Sequence, residues 1–173
     1  MAGDDTLAVR LAFARAARIG DAAAVQQARA AIVRAAVQAR DDDAAVALVD
    51  TLYRSGEIGE QVSILSMLPQ LPAPARFVAL AIEACRTNAE PVFRAIATKN
   101  ALPAAHFPAP AFHQMVLKAI FLGVPVAEIE GLHTRVDGEL VRMVQGYASE
   151  RRAAGRAVPD DVAHIVSLAE NHR

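Results

Sequence analysis

The sequence predicts an all-α fold, and three observations lead to that prediction. Glycine and proline, nine of each, divide the 173 residues into segments about one helix long. Within these segments apolar residues recur at the i, i+3, i+4 spacing of an amphipathic helix. No stretch shows the sustained alternation of β-branched residues that half-buried strands require. The length suits a single domain, residues 1–173, with a sizeable core.

The first two predicted helices lie on either side of Gly20. The first runs from about residue 5 to residue 19, and Asp21 caps the second because its side chain can accept from free backbone N–H groups. The predicted buried stripe of the second helix comprises Val25, Ala28, Ile32 and Ala36.

The acidic run at positions 41–43 predicts the start of a third helix, because carboxylates interact favourably with the helix dipole there. A metal site is the less favoured interpretation of the same run. A fourth helix is predicted to end at Pro69. Its predicted buried stripe comprises Ile58, Val62, Leu65 and Leu68.

All nine prolines fall between Pro69 and Pro159, so the remaining helices have clear ends. Pro91 suits the first turn of a helix that finishes near Asn100. Gly123 is predicted to end helix 110–122 in a left-handed conformation, and Pro125 prevents its continuation. A helix striped by Leu140, Met143, Val144 and Tyr147 then stops at Gly155, and "VPDD" at 158–161 starts the last one.

A short repeat suggests how these helices are arranged. The tripeptide "APA" at 73–75 recurs at 109–111, which is 36 residues later (109 − 73). One helix pair per repeat at this period indicates a stacked helical array, a HEAT/armadillo-like α-α superhelix.

Composition excludes several classes of partner. The formal net charge of −1 gives no field that would favour nucleic acid or an anionic membrane, and there is no Trp for base stacking. No apolar run is long enough for a membrane span, so no direct membrane insertion is expected. The N-terminus does not resemble a secretory signal, and a single cysteine fits a reducing cytoplasm.

The usual enzyme motifs are absent, including a glycine-rich phosphate loop, G-x-S-x-G and H-E-x-x-H. No His or Cys pair has zinc-like spacing, so neither a metal nor another cofactor is predicted. Cys85 with His106 or His113 could form a thiolate–imidazole pair, but a lone cysteine is more often a small apolar core residue.

Polar residues within the most apolar helices are the candidate ligand-binding set. Lys118 follows Gln114 by four residues, so both share one helix face. Apolar surroundings could lower the pKa of Lys118 as an amine nucleophile requires, or its stem could simply pack on the core. Arg86 and Asn88 could cap helix ends, and Arg86 could instead bind an anion. The complete set is Arg86, Asn88, His106, His113, Gln114 and Lys118.

Five segments together resemble the EboA-domain family. They are "GEIGEQVSILSMLPQLP", "EACRTNAEPVFRAIATKN", "HQMVLKAIFLGVP", "GLHTRVDGELVRMV" and "YASERRAAGR", spread over about residues 50–158. Two positions depart from the family pattern. His113 stands where members usually have Asn, and Arg94 stands where an acidic residue is typical.

The resemblance implies a role in metabolite traffic. Family members come from bacterial gene clusters that also encode a prenyltransferase-like membrane protein and homologues of metabolic enzymes. The favoured hypothesis is therefore a non-enzymatic helical-repeat protein that binds a biosynthetic precursor or docks proteins of the same cluster. One alternative is an enzyme in which Lys118 or His113 acts as a base and Arg86 holds an anion. The other alternative is a pure scaffold with an exposed apolar patch.

Overall fold

A computed structural model describes residues 2–18 and 20–171, and this part of the chain is helical without any strand. The all-α prediction is confirmed. The α-helices are α1 Ala2–Arg15, α2 Ala22–Gln38, α3 Asp42–Ser55, α4 Ile58–Met67, α5 Val78–Ala84, α6 Glu90–Ala97, α7 Leu102–His106, α8 Ala109–Leu122, α9 Gly138–Ala153 and α10 Asp160–Glu170. Short 3-10 turns lie at Ala16–Arg18, Leu68–Gln70, Pro74–Phe77, Val126–Glu128 and Leu132–Arg135.

The chain divides into two compact units, Met1–Ile96 and Ala97–Arg173, and each is described by itself. The single domain and the stacked array of helix pairs stay predictions. The "APA" repeat gives the array no support, because its two copies differ in conformation. Ala73 has a left-handed φ of 47° before a 3-10 turn, whereas the second copy opens α8.

Helix starts follow the predicted caps in unit 1. The Asp21 carboxylate accepts from the Ala24 N–H at 2.9 Å, and the Asp41 carboxylate accepts from the Ala44 N–H at 2.8 Å. The acidic run at 41–43 therefore begins a helix, as predicted. The first helix ends at Arg15 and continues as a 3-10 turn. Its predicted end at residue 19 lies outside the described residues.

Two predicted buried stripes were partly wrong. On α2 the buried residues are Arg29, Val33, Ala36 and Val37, so of the predicted stripe only Ala36 is buried. On α4, Leu65 is buried and Val62 is half-buried, but Ile58 is 54% exposed. The α2 error arises because the helix contacts α1, α3 and α4. The positions of these three helices determine which face of α2 is buried, and the buried face includes the charged residue Arg29.

Arg29 is the polar centre of unit 1 and is only 6% exposed. Its guanidinium donates to the Phe13 carbonyl at 3.3 Å, and also to the Gly59 carbonyl and the Ser63 hydroxyl, and it lies over the Phe13 ring. The Glu60 carboxylate is 3.5 Å from the guanidinium and also accepts from the Glu57 N–H. Arg29 therefore joins the end of α1 and the first turns of α4 to α2.

The helix ends of unit 2 match their predictions closely. Gly123 has a φ of 70° at the end of α8, and its N–H donates to the carbonyls of α8. At the unit boundary, α6 contains Pro91 in its first turn and ends at Ala97, three residues before the predicted Asn100 (100 − 97). Helices α9 and α10 pack together, and α9 also contacts α8.

Arg135 fixes the end of α7 against the turn that precedes α9. Its guanidinium donates to the carbonyls of Phe107 at 2.7 Å and Ala104 at 2.5 Å, and it lies 4.7 Å from the centre of the Phe112 ring. The same turn begins at Gly131, which has a φ of 71°. A Cβ atom at Gly131 would lie 2.6 Å from the Ala104 Cβ, so the two segments touch at this point.

Within residues 2–18 and 20–171, none of the helices combines the length and the hydrophobicity that crossing a lipid bilayer requires.

Candidate functional site

Two predicted site residues, Arg86 and Asn88, lie in unit 1 between α5 and α6, and both are exposed. The Arg86 charge lies close enough to Glu83 to act on it. Hydrogen bonds from Arg54 lower the pKa of Glu83, and the charges of Arg54 and Arg86 lower it further. The side-chain cap of this connection is Thr87, whose hydroxyl accepts from the Ala89 N–H at 3.1 Å.

The other four predicted residues lie in unit 2. His106 is the last residue of α7 and is exposed. On α8, Gln114 is exposed, Lys118 is half-buried and His113 is buried. The convergence of all six residues on one groove stays a prediction, as do a catalytic role for Lys118 and an anion site at Arg86.

Cys85 and the histidines show no metal-binding arrangement in the described part of the chain. No group of three or more His, Cys, Asp or Glu side chains is placed there to hold an ion. Cys85 is half-buried at the end of α5. Its neighbourhood includes Tyr53, whose pKa is raised, first by burial and then by the nearby Glu83 carboxylate.

His113 is the predicted site residue with the best-defined role. The residue is only 4% exposed, and its Nε2 lies 3.2 Å from Oδ2 of Asp137. The other carboxylate oxygen of Asp137 accepts from the Leu140 N–H at 2.8 Å and so caps α9. His113 therefore holds the residue that starts α9. An Asn side chain also carries an N–H donor, so the usual family residue offers the same kind of contact.

An ion pair begins at Glu139, two residues after this cap (139 − 137). The Arg142 guanidinium donates to both carboxylate oxygens of Glu139, at 2.5 and 2.8 Å. These hydrogen bonds lower the pKa of Glu139, with smaller contributions from the charges of Arg142 and His113. The charge of Arg142 is thus largely compensated at the first turn of α9.

Two adjoining cavities run along the pair formed by α9 and α10, and together they are here named the α9–α10 groove. One has a volume of about 600 Å³ and the other of about 440 Å³, and Gln145, Val166 and Glu170 line both. The larger cavity lies toward the connection between the helices, where Arg152 and Asp160 line it. The smaller one begins at Asp137, the partner of His113.

The α9–α10 groove combines an aliphatic floor with charged walls. Ala148, Val162 and Val166 supply apolar surface, while Arg152 and Asp160 face the same cavity from α9 and α10. Both charged side chains are exposed, and no ion pair joins either of them to another described residue. Such a mixture of apolar surface and a few polar groups is typical of small-molecule sites.

Sequence reasoning did not identify the groove. Arg152 lies in the segment "YASERRAAGR", which supported the family resemblance but received no role of its own. Asp160 was interpreted only as the start of a helix, and Val166 lies beyond the recognised segment. The available signal was the short connection between two amphipathic helices, because such a connection predicts antiparallel neighbours with a groove along their shared face.

Comparison with known proteins identifies the family. The sequence model of one protein family, described as metabolite traffic protein EboA, matches residues 13–167. The match extends beyond the segment 50–158 that carries the resemblance, and it includes α2 with Arg29 and most of α10. Neither the curated proteins nor the solved structures contain a match to the chain. Since the family model covers 155 of 173 residues (167 − 13 + 1), the chain belongs to the EboA family of metabolite traffic proteins.

Proposed function

We propose that this chain is a non-enzymatic binding protein of metabolite traffic and that the α9–α10 groove holds the metabolite. The observation that carries the proposal is the size and lining of the groove. A cavity of about 600 Å³ falls within the range of small-molecule sites, and an adjoining one of about 440 Å³ extends it. Family membership supports the metabolite-traffic part of the proposal.

The groove suits binding better than catalysis. Its lining includes Arg, Asp, Glu, Gln and Ser side chains but no Lys, Cys or His. The carboxylate of Asp137 is already engaged by His113 and by the Leu140 N–H, so it is held in place as a cap. These groups can orient and retain a ligand, which is the task of a carrier.

Blocking the groove tests the proposal. Val166 lines both cavities and is half-buried, so Val166→Trp is expected to fill the space that a metabolite needs. Ser149→Trp is the matched control, because Ser149 is exposed on α9 and lies outside the lining of both cavities. Circular dichroism checks that both variants are folded.

Native mass spectrometry of protein purified gently from its own host provides the measurement. We expect a retained small molecule on the natural chain and on Ser149→Trp, and its loss from Val166→Trp. A chain that carries no small molecule but copurifies with a second protein would contradict the carrier function and favour the scaffold. Retention by Val166→Trp would place the metabolite outside the α9–α10 groove.

A further inference from the structure

The charges of the α9–α10 groove indicate the chemical class of its ligand, an inference that rests on the proposed function. We infer that the ligand is an amphipathic zwitterion, with an amino-carboxylate head group and an aliphatic body. The head group lies at the connection between α9 and α10, and the body extends along Val162 and Val166.

The head-group end is defined by two charges of opposite sign. Arg152 lies near the end of α9 and Asp160 opens α10, on either side of the connection, and both line the larger cavity. A guanidinium can bind a ligand carboxylate through two parallel hydrogen bonds, while the Asp160 carboxylate can accept from an ammonium. No ion pair within the described residues engages either side chain, so both are available.

The remaining charges of the groove are engaged or distant. Arg142 is paired with Glu139, and Asp137 caps α9 beside His113. Glu170 lies ten residues after Asp160 (170 − 160), which corresponds to about 15 Å along a helix. Asp160 and Glu170 therefore cannot both contact one compact head group, and Glu170 lies beside the body of the ligand.

A ligand with only one sign of charge would fit this end less well. A simple carboxylate would be attracted to the Arg152 guanidinium but repelled by the Asp160 carboxylate. A simple amine would be attracted to Asp160 but repelled by Arg152. The zwitterion satisfies both side chains at once. The lining has no Phe, Tyr or Trp, so an ammonium group would be recognised by carboxylate and not by aromatic faces.

A series of eight-carbon probes separates the contributions of a carboxylate and of an ammonium group to the affinity. The probes are 2-aminooctanoate, octanoate, octylamine and octanol, which each have eight carbon atoms and differ in the charged or polar groups that they carry. Amide chemical shifts locate the binding site and titration calorimetry gives the affinity, both with the full chain. We expect 2-aminooctanoate to bind about fivefold more tightly than octanoate or octylamine, since solvent-exposed charge pairs contribute modestly.

Charge-neutral variants assign the two head-group contacts. Arg152→Gln is expected to remove the advantage of 2-aminooctanoate over octylamine, and Asp160→Asn its advantage over octanoate. Arg156→Gln and Glu150→Gln are the matched controls, because both side chains are exposed and lie outside the lining of both cavities. Both controls are expected to leave the affinities unchanged.

The outcomes distinguish this inference from the proposed function. If octanol binds the groove as tightly as 2-aminooctanoate, the groove selects only apolar bodies and the zwitterion is wrong, although the carrier function stands. If every probe shifts only amides outside α9 and α10, the inference is also wrong. The same holds if no probe shifts any amide. The placement of the metabolite in the groove fails separately, when Val166→Trp keeps the ligand obtained from the host.

Discussion

The two units of the chain bury polar side chains of different kinds. Arg29 in unit 1 carries a guanidinium that has contacts to α1 and α4 on several sides. His113 in unit 2 has one identified ionisable partner, Asp137, and that partner lines a cavity. A buried charge with many partners stabilises packing, because removing it leaves several acceptors unpaired. A buried group with one partner at a cavity edge instead positions that edge.

The largest effect is expected for Arg29→Met. The substitution removes the donor to the Phe13 carbonyl and the Ser63 hydroxyl and leaves Glu60 without its cation. We expect the free energy of unfolding to fall by about 3 kcal/mol, as when one partner of a buried ion pair is lost. Urea unfolding measures the change. Arg34→Met on the exposed face of α2 is the control, and an equal loss there would contradict a special role for Arg29.

The second largest effect is expected for Arg135, whose guanidinium joins two segments of unit 2 as that of Arg29 joins helices of unit 1. Arg135→Met leaves the Ala104 and Phe107 carbonyls without their donor. We expect a loss of about 2 kcal/mol in the free energy of unfolding, because two partly buried acceptors then lack their donor. Hydrogen exchange should show the loss in residues 97–171 and not in α2 or α3. Arg156→Met is the control, and a change spread evenly over both units would argue against this assignment.

A smaller effect is expected at His113, where two substitutions separate the packing of the ring from its polar contact with Asp137. His113→Leu removes the nitrogen that lies 3.2 Å from the Asp137 carboxylate and should reduce the free energy of unfolding by about 1 kcal/mol, the usual scale of a lost polar contact. His113→Asn supplies an amide N–H and should lose less. Thermal unfolding ranks the variants, and amide shifts of Leu140 report the α9 cap. If His113→Asn were the less stable of the two, the Asp137 contact would not be what His113 provides.

The smallest effect is a pH dependence that both units share. Arginine partners hold the pKa values of Glu83 and Glu139 below the ordinary 4.5. Their ionised forms therefore stabilise the fold fully above that pH, and the contribution is lost as the pH falls through the lowered values. Glu83→Gln and Glu139→Gln should each narrow the difference between urea midpoints at neutral pH and at about pH 3. An unchanged difference in both variants would show that these ion pairs do not contribute to the pH dependence of stability.

Local chemistry made the helix ends predictable, but the buried faces depend on distant partners. Asp21, Asp41 and Gly123 act within one turn of themselves, so their roles can be inferred from neighbours in sequence. Arg29 contacts Ser63, 34 residues away, and no local pattern predicts that an arginine will be buried. The exposure of Ile58 has the same origin, because helical spacing identifies a stripe without showing what covers each position.

The candidate site shows the same division. His113 was singled out because a polar residue interrupts an apolar helix, and the structure shows that it is buried. The α9–α10 groove was not found, because its charged residues look like ordinary helix ends in the sequence. Arg152 and Asp160 become a pair of possible ligand contacts only when the connection between the helices brings them to one cavity.

The contact between Gly131 and Ala104 has a consequence for how this sequence can diverge. Position 131 requires a left-handed backbone, and a side chain there would collide with Ala104. A larger residue at position 104 would meet the same backbone from the other side. The two positions are therefore expected to remain small together across descendants of this chain. A lineage that enlarges one of them should show a compensating rearrangement of the turn that carries Arg135.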